Sequence, residues 1–417
     1  MREGMNILLI NHYAGSPEMG MEFRPYYFAR EWVRKGHHVD IVAADYSHLR
    51  MKNPEVCQDF QTEVIDGITY HWIKTGQYEG NGAARAMTMF RFVGKLWRHA
   101  GKMARKWKPD VVITSSTYPL DTYAGRRIAK RSGARLIHEV HDLWPLTLTE
   151  VGGISRHHPF VLLLQMAEHA AYKKSEYVVS LLPLTKKYMI RHGMNAEKFV
   201  EIPNGIRKED WERPEALPER QKEILERYKR DGKFIVGYFG GHALSNALDI
   251  LLDAAKAVKD RRIQFVLTGN GVEKPHLMER ADKEEIKNVC FLDPVSKKAI
   301  PNLVSYFDCI YMGAMDSPLY RFGICLNKMY DGMMAGKPII CAVNTPTAPI
   351  ETYGCGMMVR TADPVRQAAA VEKMCRLDQN ERYEMGECGR RAVLDQFTYD
   401  ILASKFESLF IRKGLKA

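Results

Sequence analysis

Short apolar runs alternate with helix-patterned stretches along most of this 417-residue chain, and the alternation runs twice. The first series has apolar runs at 6–10, 39–43, 68–73, 110–114, 136–140, 177–181 and 199–202, with helical spacing at 23–35, 122–131 and 160–173. Short strands between helices predict βα units and a parallel sheet. Near residue 204 the character changes: Asn204-Gly205 is a turn dipeptide, and 207–230 is densely charged and holds Pro214 and Pro218. The alternation then restarts with runs at 234–239, 264–267, 289–292, 309–311, 339–342 and 357–359. The expectation is an α/β chain of two Rossmann-like domains, residues 1–203 and 204–398, with parallel sheets facing an interdomain cleft. The tail, 399–417, is expected to pack back as a helix on the N-terminal domain. In such sheets ligands bind beyond the carboxyl ends of the strands.

Composition narrows the classes. Hydrophobic residues make up 46% and charged residues 27%, which suits a folded chain with a sizeable core and excludes disorder. No apolar run is long enough to span a bilayer, and the N-terminal apolar piece, Ile7 to Ile10, is too short for a secretion signal. A cytoplasmic location follows as an expectation. The eight cysteines are scattered with no CxxC pair, so reduced thiols and no structural zinc are expected. The net charge of +11 points to an anionic partner: nucleic acid, a phosphorylated substrate or an acidic membrane.

The densest chemistry lies at 322–340, FGICLNKMYDGMMAGKPII. A turn at Gly323 leads into a helix start at Asn327 and Lys328, followed by Asp331, Gly336, Pro338 and an apolar strand. A helix N-terminus gathers free N–H groups and the positive end of the dipole, which suits a diphosphate. Lys328 adds a point charge, and Asp331, one turn after Asn327, can accept hydrogen bonds from vicinal sugar hydroxyls. A sugar nucleotide fits this pattern; so does an ordinary helix–strand unit with a solvated Lys and Asp.

Several motifs in order carry a resemblance over almost the whole chain. They are Glu22-Phe23-Arg24-Pro25-Tyr26-Tyr27, Glu139-Val140-His141-Asp142-Leu143-Trp144-Pro145, Pro203-Asn204-Gly205, Gly237-Tyr238-Phe239-Gly240-Gly241-His242, and Asn327-Lys328-Met329-Tyr330-Asp331 with Ala335-Gly336-Lys337-Pro338. The sequence resembles the retaining glycosyltransferases of family 4, which have the GT-B fold, and within them the WbuB-like branch of surface-polysaccharide transferases. Two positions depart from the family pattern. Of the two glutamates that many members carry, the first position holds Gly323 and the second Asp331. The Arg and Lys that many members place after the first strand of the second domain are absent from the stretch Gly241 to Asn246, leaving Lys328, Arg321 or His242 to meet phosphate charge.

The resemblance implies a nucleotide-diphosphate donor, with a UDP-sugar expected, and a polyprenyl-diphosphate-linked saccharide as acceptor in O-antigen, capsule or exopolysaccharide synthesis. It places the donor on Gly240, Gly241, His242, Arg321, Gly323, Asn327, Lys328 and Asp331. The loop after the first strand, with Gly15, Met19, Gly20 and Glu22, is implied to lie near the reaction centre. Arg24 beside it is a candidate for an acceptor phosphate, or else an exposed helix Arg. His141 and Asp142 follow a strand at its carboxyl end and are catalytic candidates together with Lys328. No DxD motif occurs, so no metal and no cofactor beyond the sugar nucleotide are expected.

Residues 80–109 contain no acid. Met89, Phe92, Leu96, Ala100, Met103 and Trp107 recur at helical spacing, while Arg91, Lys95, Trp97, Arg98 and Lys102 mark the basic side. Such a helix fits an anionic membrane surface, here the inner face of the plasma membrane. It equally fits a domain helix with a core stripe and solvated charges. Three competing functions stand beside the transferase: a UDP-sugar 2-epimerase of the same architecture, a nucleic-acid-binding protein, and a non-catalytic scaffold. No zinc-finger spacing, RNP-like motif or long basic tail favours nucleic acid.

Overall fold

The computed structural model describes residues 4–20, 23–80 and 82–411. The chain divides into two compact units, residues 1–203 with 399–417, and residues 204–398. The first unit holds β1 (Asn6–Ile10), β2 (His38–Ala44), β3 (Gln61–Ile65), β4 (Ile68–Ile73), β5 (Val111–Thr114), β6 (Arg135–Val140), β7 (Tyr177–Ser180) and β8 (Phe199–Glu201). They pair in the order β3-β4-β2-β1-β5-β6-β7-β8. Every pairing is parallel except β3 with β4. Its helices include α1 (Phe23–Arg34), α2 (Ala83–Trp107), α3 (Asp121–Ser132), α4 (Leu146–Glu150), α5 (Pro159–Lys174) and α6 (Lys186–Arg191).

Alternate residues of β1 serve opposite layers, as strand geometry requires. Ile7 and Leu9 pack with Phe28 and Trp32 of α1 and Phe406 of the C-terminal helix Tyr399–Glu407. Leu8 and Ile10 pack with Phe92 and Leu96 of α2 and Ile128 of α3. The C-terminal helix is tied to α1 by the Trp32 indole N–H, which donates to the carbonyl of Ala403 at 3.2 Å.

The apolar stripe of α2 lies inside the first unit. Met89, Phe92, Leu96, Ala100 and Met103 are buried. This corrects the expectation of a stripe free to meet lipid: a sheet with two apolar faces needs a cover on each, and α2 supplies one of them. The Lys95 ammonium donates to Asp59 Oδ1 at 2.8 Å and to the Lys74 carbonyl at 2.7 Å. Arg91 donates to the Thr75 carbonyl at 2.9 Å. Arg98 and Lys102 are exposed, and the exposed Trp97 ring lies 4.5 Å from the Arg127 guanidinium.

The second unit holds β9 (Phe234–Phe239), β10 (Ile263–Thr268), β11 (Val289–Leu292), β12 (Cys309–Gly313), β13 (Ile339–Ala342) and β14 (Gly356–Val359). Their order is β11-β10-β9-β12-β13-β14 and all pairs are parallel. From β9 the chain moves outward to β11, then returns to β12 on the other side of β9. That reversal opens a crevice at the carboxyl ends of β9 and β12. Buried side chains cover both faces: Ile235 and Phe239 on one, Val236 and Tyr238 on the other.

Candidate active site

In the second unit the loop after β9 carries Gly240, Gly241 and His242. It lies against the loop after β10 because glycines allow the approach: a Cβ on Gly269 would sit 1.9 Å from the Gly240 carbonyl oxygen, and one on Gly271 2.2 Å from that of His242. The Lys274 ammonium fixes this edge by donating to the carbonyls of Gly269 and Leu292, each at 2.9 Å, and to Asp293 Oδ1 at 3.1 Å. The His242 ring is fully buried, and neither nitrogen has a hydrogen-bond partner among the described residues. Burial, then the charges of Lys274 and Lys328, push its pKa down to about 4, so the ring is neutral at physiological pH.

The helix Asn327–Met334 begins beside this loop. Its N-cap, Leu326, offers no side-chain acceptor, so the N–H groups of Asn327 and Lys328 keep their capacity for a ligand, while that of Met329 donates to the Leu326 carbonyl at 3.0 Å. The Lys328 ammonium donates to Asn246 Oδ1 at 2.5 Å and sits 4.8 Å from the centre of the Tyr238 ring. Burial lowers its pKa to about 8. Asn246 also donates to the Gly241 carbonyl at 2.9 Å, which links the glycine turn to the lysine. Asp331 is buried, and both of its oxygens accept from the Lys297 ammonium at 2.5 Å. The carboxylate expected to hold sugar hydroxyls thus has a lysine as its first partner. Gly323 adopts φ 95° and ψ −177°, a conformation reserved for glycine, so its lack of a carboxylate is set by the backbone.

Arg321 stands apart from this group. It donates to the Pro318 carbonyl at 2.6 Å and lines a cavity of about 830 Å³ with Asn344, Thr345, Glu351, Arg360 and Arg366. That cavity lies at the ends of β13 and β14, and its lining does not include Gly240, His242 or Lys328.

In the first unit, Arg24 points inward. Its guanidinium donates twice to Glu139 Oε1, at 2.9 and 3.1 Å, and to the carbonyls of Pro203 at 2.6 Å and Ile202 at 2.7 Å. This corrects the expectation of an acceptor-phosphate contact or an exposed helix residue: the group is buried and its donors serve the fold. Glu139 Oε2 accepts from Ser115 Oγ at 2.5 Å and lies 3.0 Å from His141 Nε2, which is 2.8 Å from Ser115 Oγ. Burial alone would raise the Glu139 carboxyl, but Arg24, His141 and the Ser115 hydrogen bond together hold it well below the usual range. An ionised Glu139 fixes the His141 ring at the carboxyl end of β6. Asp142, the next residue, is exposed.

Of the loop after β1, Gly15 accepts from the Tyr70 hydroxyl at 2.8 Å, and the Met19 carbonyl accepts from the Met51 N–H at 2.8 Å. Gly20 has φ 93°, and a Cβ there would meet Met51. Glu22 lies outside the described residues. His138 is a core residue: its ring contacts Thr114 and Thr122 hydroxyls at 3.2 and 3.1 Å, and burial lowers its pKa to about 4.

The sequence reading missed Ser115, Glu139 as the anchor of His141, Asn246, Lys297 and Asp121. Asp121 is fully buried at the start of α3 and accepts from the Ser116 N–H at 3.1 Å; its other oxygen has no hydrogen-bond partner among the described residues. Burial, partly offset by Ser116, Thr122 and His141, raises its pKa to about 7. Among the described residues no group of three or more His, Cys, Asp or Glu side chains is placed to hold a metal ion.

Two α/β units, each with ligand-ready loops at the carboxyl ends of its strands, define the GT-B fold. The glycosyl transferase 4-like domain matches residues 19–205, and glycosyl transferases group 1 matches 233–377, so the two matches cover most of the chain. The chain belongs to these glycosyltransferases of the family 4 type. It is 24% identical over 209 residues to the putative colanic acid biosynthesis glycosyl transferase WcaI of Escherichia coli K12; the alignment spans 49% of this chain and 51% of that relative. Its fold is similar to that of Anabaena Alr3699/HepE, solved in complex with UDP and glucose, at 15% identity and a TM-score of 0.66 over 97% of this chain and 99% of the other. It is also similar to sucrose-phosphate synthase from Thermosynechococcus elongatus, at 17% identity and a TM-score of 0.71, covering 97% and 98% of the two chains.

Proposed function

We propose that this protein transfers a sugar from a UDP-sugar to a lipid-linked saccharide during assembly of a surface polysaccharide, working at the inner face of the plasma membrane. The observation that carries the donor half is the meeting of the Lys328 ammonium, the start of the helix Asn327–Met334 without a side-chain cap, and the buried His242 ring, whose nitrogens have no hydrogen-bond partner among the described residues, at one glycine loop. That grouping suits a diphosphate. The UDP bound by Alr3699/HepE and the colanic acid role named for WcaI support the donor and pathway classes.

In the reaction the bond between the anomeric carbon and the diphosphate oxygen breaks while charge gathers on the departing phosphate. Lys328 and the first N–H groups of its helix stabilise that charge. His242, being neutral, can donate one hydrogen bond without adding a cation. The acceptor hydroxyl attacks from the same face and its proton passes to the departing phosphate, so configuration is retained with no enzymic nucleophile. His141, held by Glu139 and Ser115, and Asp142 next to it are the first unit's catalytic candidates in this scheme. No metal ion is needed, because cationic and N–H donors meet the phosphate charge.

Incubation with UDP-sugars and a polyprenyl-diphosphate-linked acceptor tests the reading. Transfer with the donor's anomeric configuration kept, in the presence of a chelator, is expected. An inverted product, or interconversion of the sugar nucleotide with no acceptor, would replace it.

A further inference from the structure

With the apolar stripe of α2 committed to the core, a different surface of the first unit is free. The Phe90 ring on the outer side of α2 lies 6.1 Å from that of Phe160 at the start of α5. Other large apolar side chains of the same two helices are exposed: Met87 is 50% and Phe90 41% exposed on α2, Leu162 48% and Met166 64% exposed one turn apart on α5. Val151, in the loop before α5, is 58% exposed. Scattered single apolar residues are normal on a protein surface; five on two touching helices and the loop before one of them are a concentration.

The charge on the helices of this face is mostly positive, with the exposed Glu150 beside Val151 as the exception. The helices α2, α3, α5 and α6 carry two acids in all, Asp121 and Glu168, and both are buried. Glu168 accepts from the hydroxyls of Tyr172 and Tyr188 at 3.1 and 3.0 Å. Exposed cations of the same helices include Arg98 and Lys102 on α2, Lys130 on α3, and Lys173 and Lys174 at the end of α5. The exposed acids Glu150 and Glu176 flank α5 in the sequence. Leu162 also walls a cavity of about 240 Å³ with Glu150, Arg156, Pro145 and Leu146, the last two a few residues beyond His141 and Asp142 in the chain.

We propose that this face, centred on the outer side of α5 and reaching to Met87 and Phe90 of α2, docks on an anionic lipid bilayer. The apolar side chains enter the headgroup region and the surrounding cations meet lipid phosphates. A second copy of this chain is a poor occupant, because a two-fold contact would set these cations against one another. Nucleic acid is a poor one too, because bases need stacking partners and of Met87, Phe90, Val151, Leu162 and Met166 only Phe90 is aromatic. Docking here keeps the cavity walled by Leu162 next to the bilayer, where a lipid-linked acceptor resides. That purpose rests on the function proposed above; the surface itself does not.

Flotation of the full chain with vesicles tests it. Binding to phosphatidylcholine–phosphatidylglycerol vesicles, weak binding to phosphatidylcholine alone and partial release by salt are expected. The double variant Met87→Gln/Met166→Gln should cut the bound fraction about tenfold, while Val272→Gln, at an exposed apolar site of the second unit, should float like the parent. All three proteins should melt together and transfer sugar equally to a water-soluble acceptor. A double variant that floats like its parent, or binding blind to lipid charge, would overturn the proposal. So would a parent dimer that the double variant dissolves, or duplex DNA that it alone fails to bind. A parent that floats as expected yet moves no sugar to any acceptor would leave the docking face standing and remove the transferase reading.

Discussion

The Lys328 ammonium and the Asn246 side-chain oxygen lie 2.5 Å apart, joining the start of the helix Asn327–Met334 to the loop after β9. Asn246 occupies a stretch where related enzymes commonly carry cations. Here the loop supplies an acceptor instead, and the cation comes from the helix. The arrangement puts one ammonium at the focus of helix N–H groups and aims it by a short hydrogen bond.

Loss of that ammonium should fall on the chemical step. Lys328→Met is expected to lower kcat about 100-fold or more, the scale of removing one donor to a developing anion. Steady-state kinetics on the soluble acceptor measure it. A change confined to KM would show that Lys328 merely binds.

The same pair predicts a pH profile. Burial brings Lys328 down to about 8, so kcat/KM should fall as pH rises through about 8, where the free enzyme loses the charge. Asn246→Ala removes an acceptor that favours the ammonium form, so the alkaline limb should move to lower pH. A limb that stays in place would show that Asn246 does not act through Lys328.

Arg24 and Glu139 form a buried pair, and removing Arg24 strips Glu139 Oε1 of its cation, leaving the buried carboxylate only Ser115 and His141 on Oε2. Arg24→Ala should destabilise the protein by about 3–5 kcal/mol, read by urea unfolding. A stable variant with a raised KM for the acceptor would instead restore Arg24 to the binding site.

Asp121 gives a sign opposite to that of most carboxylates. Its pKa is about 7 in the folded chain against 3.8 as the ordinary value, so the folded state holds the proton longer than the unfolded one. Its contribution is therefore present at acid pH and is lost as pH rises toward and through about 7, by a few kcal/mol at most. Asp121→Asn should flatten that slope in unfolding measured from about pH 4 to about 7.

Restoring the family carboxylate at Gly323 should fail. Gly323→Glu forces a side chain onto φ 95°, at a cost of about 1–3 kcal/mol, and a lowered melting temperature without gain in activity is expected.

The strands were readable because a parallel sheet covered on both faces makes each strand an apolar run. β3 was not, since it is an edge strand with exposed Thr62 and Glu63; its signal was the Asp66-Gly67 pair, whose positive φ values close the hairpin to β4. Periodicity showed that α2 has an apolar stripe but could not say whether sheet or lipid would cover it. Lys328 was legible from its place at a helix start. Its partner Asn246 was not, nor was Lys297 as the partner of Asp331, because these pairs join residues 82 and 34 positions apart that only the folded loops bring together. Arg24 and Glu139, 115 positions apart, show the same blindness: each motif stood out alone, and their ion pair did not.

The return of Tyr399–Glu407 to the first unit has a consequence for synthesis. Trp32 and Phe28 find Phe406 and Tyr399 at ring distances of 5.3 and 5.4 Å, so the hydrophobic layer under α1 is open until the last helix is made. On the ribosome the later unit, being contiguous, can close first, while the earlier one waits until Tyr399–Glu407 has emerged. A nascent chain cut at residue 398 would leave bare an indole and a phenyl ring that Tyr399–Glu407 otherwise covers.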